Sequence, residues 1–211
     1  MSGLLRPSKY TVPGTYRGLP PARDGLAIGL YGGSFNPPHE GHMHVSQLAM
    51  RRLGLDRIWW LVTPGNPIKD QSDLQPLSQR LQASAQLADH PRIDITSVEQ
   101  KVGFNKTRDT IRWLKQRCPR TRFIWIMGAD NLAQFHQWYG WRDIAALVPI
   151  AVIDRPGFTF QAKSSHAAQA LSRFREDETD AIGFSKRTPP AWIFLHGPRS
   201  DLSSSALRQG R

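Results

Sequence analysis

The chain has 211 residues, of which 39% are hydrophobic and 21% charged, so its composition is globular and excludes disordered and collagen-like chains. Its formal net charge of +11 favours anionic partners, either nucleic acid or small phosphorylated ligands. The basic residues are spread along the chain without a long run, which disfavours an extended nucleic-acid face, and no stretch approaches the roughly 20 apolar residues of a membrane helix.

The first part of the chain, residues 1–24, contains four prolines, several glycines and basic side chains. This composition predicts a poorly ordered basic leader, followed by a single domain over residues 25–211. The leader has no apolar core segment and therefore does not resemble a secretory signal. A single cysteine, Cys118, cannot form an internal disulfide, and these observations together predict a cytoplasmic protein.

Six short apolar runs follow the leader, and they are mostly continuous, as expected of strands buried on both faces. Four of the seven tryptophans lie in these runs and are assigned to the core: Trp59, Trp60, Trp125 and Trp192. The runs are Leu26–Tyr31, Ile58–Val62, Ile93–Thr96, Phe123–Met127, Ile150–Ile153 and Trp192–Leu195.

Helical periods separate these runs. Strand–helix alternation predicts an α/β fold with a doubly wound, mostly parallel sheet, helices on both faces, and ligands beyond the C-terminal ends of the strands. The least regular segment, 156–190, holds one predicted helix, Gln161–Phe174, and is interpreted as an insertion or lid-like excursion. The periodic apolar positions are Val45, Leu48, Ala49 and Leu53, then Leu77, Leu81, Ala85 and Ala88, then Ile111, Leu114 and Cys118.

A motif rich in glycine, proline and histidine follows the first predicted strand. Gly32 and Gly33 permit close approach of the backbone to a ligand. Asn36, followed by two prolines, is expected to cap a helix, and His39 and His42 would then share one face of that helix. A helix start attracts anions, so the motif predicts a phosphate site with two imidazole donors. It reads Gly32-Gly33-Ser34-Phe35-Asn36-Pro37-Pro38-His39-Glu40-Gly41-His42.

Two later stretches also follow predicted strands. Serines at such a position can cap a helix and bind phosphate oxygens, and an arginine can add a forked cationic contact. The first stretch reads Met127-Gly128-Ala129-Asp130-Asn131-Leu132 and is followed by Trp138-Tyr139, and the second reads Leu202-Ser203-Ser204-Ser205-Ala206-Leu207-Arg208.

The first motif resembles the signature of nucleotidyltransferases that carry a His-x-Gly-His element, and in particular that of the nicotinate-nucleotide adenylyltransferase family. The two later stretches are similar to the Gly-x-Asp segment, the Trp-Tyr pair and the Ile-Ser-Ser-Thr-x-Ile-Arg motif of that family. The resemblance extends from about Leu26 to Arg208. It implies a Rossmann-like nucleotidyltransferase fold and transfer of the adenylyl group of ATP to nicotinate mononucleotide in NAD biosynthesis.

The resemblance also implies the roles of individual residues. His39, His42 and Arg208 are expected to be catalytic. ATP is expected to contact Gly32, Gly33, Ser34, Phe35, His39, His42, Gly128, Asp130, Ser203, Ser204 and Arg208. Nicotinate mononucleotide is expected to contact Asn36, Lys69, Thr107, Trp138, Tyr139 and Arg155.

Some positions depart from the family pattern. The stretch Pro64–Lys69 lacks the family's histidine, and Lys69 remains as a candidate phosphate ligand. Lys106 stands in the place of a tyrosine, and Ser205 replaces a threonine but keeps the hydroxyl. The sequence has no compact carboxylate cluster that would indicate a metal site of the protein itself. Mg²⁺ is therefore expected to be carried by ATP.

Two other functions stay open. One is another enzyme of the same superfamily, such as a pantetheine-phosphate adenylyltransferase or a cytidylyltransferase, which the Trp138–Tyr139 pair and the 202–208 motif disfavour. The other is a basic nucleic-acid-binding protein, which would need clustered charge and exposed aromatic residues. We expect neither a nucleic acid nor a membrane as a partner, and the oligomeric state is left open.

Overall fold

The computed structural model describes residues 14–65 and 73–197 of the chain. Within these residues eight strands form one sheet in the order β1-β4-β3-β2-β5-β6-β8-β7, and each described pair is parallel. All six apolar runs are strands, since a strand buried on both faces needs no alternation. The strands are β1 Thr15–Tyr16, β2 Ala27–Gly33, β3 Arg57–Val62, β4 Ile93–Thr96, β5 Arg122–Gly128, β6 Ile150–Ile153, β7 Arg175–Glu176 and β8 Trp192–Leu195.

Helices cover both faces of the sheet, which confirms the predicted doubly wound architecture. Apolar residues of α1 and α2 join one core cluster, and those of α3 to α8 join the cluster on the opposite face. The longest, α1, has 14 residues, and no described helix is both long and apolar enough to cross a membrane. The helices are α1 Glu40–Leu53, α2 Leu77–Leu87, α3 Val98–Val102, α4 Thr107–Arg117, α5 Ala129–Gln134, α6 Trp141–Leu147, α7 Thr159–Lys163 and α8 His166–Ala170.

The core assignment of four tryptophans is confirmed. Trp59, Trp60, Trp125 and Trp192 are each at most 3% exposed. Trp59 and Trp60 are consecutive in β3 and therefore point to opposite faces, one into each core cluster. Large rings thus fill both sides of the sheet and hold the two helical layers at a constant distance from it.

Part of the predicted leader differs from the expectation of poor order. The strand β1 pairs with β4, where the Ile95 N–H donates to the Gly14 carbonyl at 2.6 Å and the Ser97 N–H donates to the Tyr16 carbonyl at 3.1 Å. The expectation is therefore wrong for residues 14–16, because they satisfy the exposed edge of β4. Residues 1–13 lie outside the described part of the chain.

The prediction of one helix over Gln161–Phe174 is also wrong. This part of the chain forms α7, α8 and a 3₁₀ turn, Ser172–Phe174. Two serines cause the break. Ser164 Oγ donates to the Phe160 carbonyl at 2.8 Å, and Ser165 Oγ accepts from the Ala168 N–H at 3.2 Å and so starts a new helix. Serine side chains that bond to the local backbone compete with helix continuation in this way.

The order of the strands places a crevice at one point of the sheet edge. From β2 the chain passes to β3 and β4 on one side, and it then returns to β5 on the other side of β2. The connections that leave β2 and β5 therefore diverge above the C-terminal ends of these two strands, which is the usual ligand position in such sheets. Gly33 and Gly128 end the two strands, so the first motif and the Gly-x-Asp segment both begin at this crevice.

Candidate active site

The ends of β2 and β5 depend on glycine. A Cβ atom added to Gly32 would lie 2.5 Å from the Trp125 ring, and one added to Gly128 would contact the Asp130 carboxylate and lie 3.1 Å from Arg155 Cδ. A side chain at either position would displace these groups. The glycines of the two motifs therefore allow large and charged side chains to lie directly against the strand ends.

Phe35 fixes the turn that follows β2. It has a left-handed backbone, with φ at 47°, and its side chain is 1% exposed. The ring stacks on Trp60, with centroids 4.8 Å apart, and lies 4.7 Å from the His42 ring. This burial stabilises a backbone conformation that is otherwise unfavourable for phenylalanine. The side chain is used in packing, so the predicted contact of Phe35 with ATP would come from its backbone.

His39 and His42 cap the start of α1 reciprocally. His39 Nδ1 accepts from the Gly41 N–H, and His42 Nδ1 accepts from the His39 N–H, both at 3.1 Å. The expected capping role of Asn36 is therefore wrong: His39, with extended backbone, is the N-cap, and only His42 lies inside the helix. The expected proximity of the two imidazoles is nevertheless present, with ring centroids 3.9 Å apart.

The caps determine the tautomer of both histidines. Since each Nδ1 accepts a backbone hydrogen bond, the proton of each neutral ring is on Nε2. The pKa of His39 is lowered to about 4, mainly by burial and secondly by the positive charge of Arg155. His39 is consequently a neutral hydrogen-bond donor at physiological pH, at the positive end of a 14-residue helix.

Asp130 and Arg155 form an ion pair at the end of β5. Arg155 Nη1 lies 3.4 Å from Asp130 Oδ2, and the two side chains are 16% and 23% exposed. Asp130 Oδ1 is buried and has no hydrogen-bond partner among the described residues, so it can accept a bond from a ligand hydroxyl. The positive charge of Arg155, a predicted ligand of the mononucleotide phosphate, also contributes to the lowered pKa of His39.

Trp138 joins the histidine motif to the second predicted binding region. It is half-buried, and its ring meets Trp125 edge-on at 6.2 Å and Phe135 at 5.5 Å. Trp125 also lies against Gly32. A continuous line of Gly32, Trp125 and Trp138 therefore leads from the end of β2 to an aromatic ring that is still partly accessible.

Tyr139, the residue after Trp138, contacts cationic side chains at the start of α4. Tyr139 is 55% exposed, and the Arg108 guanidinium is stacked 4.3 Å from its ring centroid. Thr107 is the first residue of the 11-residue helix α4, whose N-cap residue Lys106 makes no side-chain cap. The first N–H groups of α4 therefore lie close to Tyr139, in a region with two cationic side chains.

Asn36 has a different task from the one expected of it. Its Nδ2 donates to the Asp73 carbonyl at 2.9 Å, and its Oδ1 accepts from the Gln75 N–H at 3.1 Å. The side chain, which is 4% exposed, thus ties the first motif to the segment that precedes α2. Its contact with the mononucleotide stays a prediction.

Arg80 is a residue that the sequence analysis missed. It lies in α2, is only 1% exposed, and donates to the backbone carbonyls of Ser34, Thr63 and Gln75 at 2.7 to 2.8 Å. A signal was present, because residue 80 is three positions after Leu77 and so falls on the apolar face of the predicted helix. An arginine on such a face needs buried partners.

Glu99 was also missed. It is 6% exposed and accepts from Thr110 Oγ1 at 2.9 Å, which joins α3 to α4. Burial raises its pKa, against the opposing effect of hydrogen bonds from Thr110 and Thr63. Glu99 therefore ties the first turn of α4 to α3.

Four predicted site residues lie outside the described residues: Lys69, Ser203, Ser204 and Arg208. Their positions relative to the crevice stay predictions. In residues 14–65 and 73–197, no group of three or more His, Cys, Asp or Glu side chains could hold a metal ion.

Comparison with known proteins places this geometry in a family. The family described as Cytidylyltransferase-like matches residues 30–210. A protein of Methylorubrum extorquens, named "Probable nicotinate-nucleotide adenylyltransferase", is 56% identical over 183 residues, which cover 87% of this chain and 99% of that protein. A protein of Agrobacterium fabrum with the same name is 55% identical and covers 87% of this chain and 98% of its own length.

A solved structure has the same fold. It is Plasmodium falciparum nicotinic acid mononucleotide adenylyltransferase complexed with NaAD, with a TM-score of 0.66, 18% sequence identity, and coverage of 87% of this chain and 83% of that chain. At this identity the likeness concerns the fold, whereas the curated relatives match nearly their whole length at more than half of the positions. This chain therefore belongs to the nicotinate-nucleotide adenylyltransferase family of cytidylyltransferase-like proteins.

Proposed function

We propose that this chain transfers the adenylyl group of ATP to nicotinate mononucleotide, giving nicotinate adenine dinucleotide and pyrophosphate. The observation that carries the proposal is the reciprocal cap of His39 and His42. It turns the Nε2–H side of both imidazoles away from the helix backbone at the start of α1, where the charge of Arg155 also acts on His39. Neutral and cationic hydrogen-bond donors at the crevice above β2 and β5 are suited to binding a polyphosphate.

The reaction is a displacement at the α-phosphorus of ATP. A phosphate oxygen of the mononucleotide forms the new P–O bond, and the bond from the α-phosphorus to the bridging oxygen breaks as pyrophosphate leaves. The nucleophile is already an anion, so the protein needs no strong base. It has to align two anions and stabilise the charge of the leaving group, which are tasks of positioning and electrostatics.

We expect the described residues to divide these tasks between the two substrates. His39 and His42 would hold ATP phosphates, with the backbone of Gly32, Gly33 and Ser34 close to the nucleotide. Gly128 and Asp130 would meet the rest of ATP, where the Asp130 Oδ1 acceptor suits a ribose hydroxyl. Arg155 would approach the mononucleotide phosphate.

The acceptor ring would stack on Trp138. Backbone N–H groups at Thr107 and Tyr139 would donate to the nicotinate carboxylate, supported by the helix start of α4 and the nearby cations Lys106 and Arg108. Such donors disfavour an amide, whose NH₂ would face other donors at a cost of about 1–3 kcal/mol for each unsatisfied group.

The remaining predicted ligands complete the proposal. Ser203, Ser204 and Arg208 would close on the triphosphate, and Lys69 would add a cation on a phosphate. Mg²⁺ would enter with the triphosphate, because phosphate oxygens and water are its preferred ligands. The metal would accordingly be part of the substrate.

The test is a pyrophosphate-release assay with ATP and Mg²⁺ against a panel of phosphorylated acceptors. We expect turnover with nicotinate mononucleotide and a preference of about tenfold or more in kcat/KM over nicotinamide mononucleotide, since tenfold corresponds to about 1.4 kcal/mol and lies within the amide penalty. Replacement of ATP by CTP provides the control for nucleotide choice. Turnover only with phosphopantetheine, or only with CTP, would refute the proposal, and equal use of both mononucleotides would refute the acceptor pocket alone.

A further inference from the structure

Arg80 connects three loops that meet beneath the crevice. Its Nη1 donates to the Ser34 carbonyl at 2.7 Å and to the Thr63 carbonyl at 2.8 Å, its Nη2 donates to the Pro64 carbonyl at 3.3 Å, and its Nε donates to the Gln75 carbonyl at 2.8 Å. These carbonyls belong to the turn after β2, the segment after β3 and the segment before α2. One guanidinium thus donates hydrogen bonds to four backbone carbonyls that accept none from a described helix or strand.

The positive charge of Arg80 is buried, and the described residues form no ion pair with it. The residue is 1% exposed, and no ion pair formed within the described residues includes it. Burial lowers its pKa, but a guanidinium remains protonated in proteins. In the described part of the chain only backbone dipoles compensate the charge, so its field reaches the nearby strand ends with little screening.

The bond to Ser34 also sets the direction of a backbone donor. In a trans peptide the carbonyl and the following N–H point in opposite directions. Because Arg80 holds the Ser34 carbonyl, the Phe35 N–H is directed away from the guanidinium. Within the described residues this N–H donates no hydrogen bond, and the positive φ of Phe35 is maintained next to it.

We propose that Arg80 is a positioning residue for the ATP phosphates: it orients the Ser34–Phe35 peptide and locks the loops after β2 and β3 in the arrangement that binds them. The proposal rests on the proposed function, since it assumes that ATP occupies the crevice. Arg80 itself contacts no substrate. Its effect on ATP passes through the Phe35 N–H, through the placement of the turn that carries His39, and through its unscreened charge.

The chain offers a matched control in Arg57. Arg57 is also an arginine with several hydrogen bonds: its side chain is 29% exposed and donates to the Asp94 carboxylate at 2.6 Å and 2.7 Å. Arg57 is the first residue of β3 and lies at the N-terminal ends of the parallel strands, whereas the crevice lies at their C-terminal ends. Arg57→Lys therefore loses a bidentate arginine geometry and some stability, as Arg80→Lys does, without touching the loops of the crevice.

The experiment measures ATP affinity by calorimetry without acceptor, together with KM for ATP, kcat and thermal stability, in Arg80→Lys, Arg57→Lys and the parent. We expect ATP affinity to fall about tenfold in Arg80→Lys, since a lysine cannot hold four diverging carbonyls and a misplaced donor costs about 1–1.5 kcal/mol. Arg57→Lys should lose stability and keep parental ATP affinity. Arg80→Met, which also removes the charge, should weaken ATP further if it folds.

The possible results distinguish the positioning role of Arg80 from the proposed adenylyl transfer. Parental ATP affinity in Arg80→Lys, or an equal loss in both lysine variants, would overturn the positioning role even if adenylyl transfer is intact. Conversely, a parent that binds ATP but transfers nothing to nicotinate mononucleotide would refute the function, while the difference between the lysine variants would still support the role of Arg80. If Arg80→Met does not fold, the lysine pair decides.

Discussion

His42 accepts the backbone N–H of His39 through Nδ1 at 3.1 Å, while the Nδ1 of His39 accepts from Gly41 at the same distance. The same two hydrogen bonds therefore cap the helix and fix the orientation of both imidazoles. Neither ring can turn without breaking a cap, and each cap selects the tautomer with the proton on Nε2. The pair is preorganised before a ligand arrives.

His42→Ala should lower turnover about a hundredfold, which corresponds to roughly 3 kcal/mol of lost transition-state stabilisation. The loss of the cap should also reduce the free energy of unfolding by about 1 kcal/mol. Steady-state kinetics and thermal denaturation measure the two effects, with His44→Ala in the same helix as the control. A folded His42→Ala within about threefold of the parental rate would contradict the phosphate role.

The buried His39 should make stability depend on pH. Its pKa is lowered to about 4 in the folded state, first by burial and then by Arg155, from an ordinary value of 6.5. Between these two values the unfolded chain binds a proton that the folded chain does not, so the free energy of unfolding falls as pH falls from 6.5 to 4 and is fully restored above 6.5.

Chemical denaturation at pH 7 and pH 5 tests this dependence, with His39→Asn as the comparison. An asparagine oxygen can still cap α1 but does not titrate. The variant should therefore lose less stability than the parent on acidification. Equal losses in the two proteins would show that His39 is not the buried neutral group described above.

Gly128→Ala should reduce kcat/KM by about tenfold to a hundredfold while leaving the fold intact. A Cβ at this position would contact Asp130 and lie 3.1 Å from Arg155 Cδ, so the ion pair at the end of β5 must move. Gly18→Ala is the control, because a Cβ there meets only the flexible end of Lys101. Parental kinetics in Gly128→Ala would exclude Asp130 and Arg155 from the site.

Trp138→Ala should raise KM for nicotinate mononucleotide about tenfold, since the loss of one aromatic stacking partner removes about 0.5–1.5 kcal/mol and some buried area besides. KM for ATP should stay within about twofold. Trp113→Ala is the matched control, because this half-buried ring on α4 lies against Arg117 instead of Trp125. An equal rise of KM for both substrates would indicate a general packing defect and contradict the stacking role.

The fold was largely predictable from the sequence. The six central strands are continuous apolar runs, and they are recognisable because both sheet faces are covered. The position of the first motif was predictable too, since glycines after a buried strand and histidines before an apolar helical period already indicate a ligand at the end of β2. The tryptophans of β3 could be assigned to the core for the same reason.

Only the tertiary structure decided how these residues are used. The cap at His39 replaced the expected cap at Asn36, because the Asn36 amide bonds instead to residues 37 and 39 positions later in the chain. Arg80 reaches Ser34 across 46 positions, and Thr15 of β1 pairs with Ile95 of β4. Helix and strand periods are local properties that a sequence carries in each segment. The buried polar partners of a side chain are set by which loops the finished sheet brings together, and that depends on all segments at once.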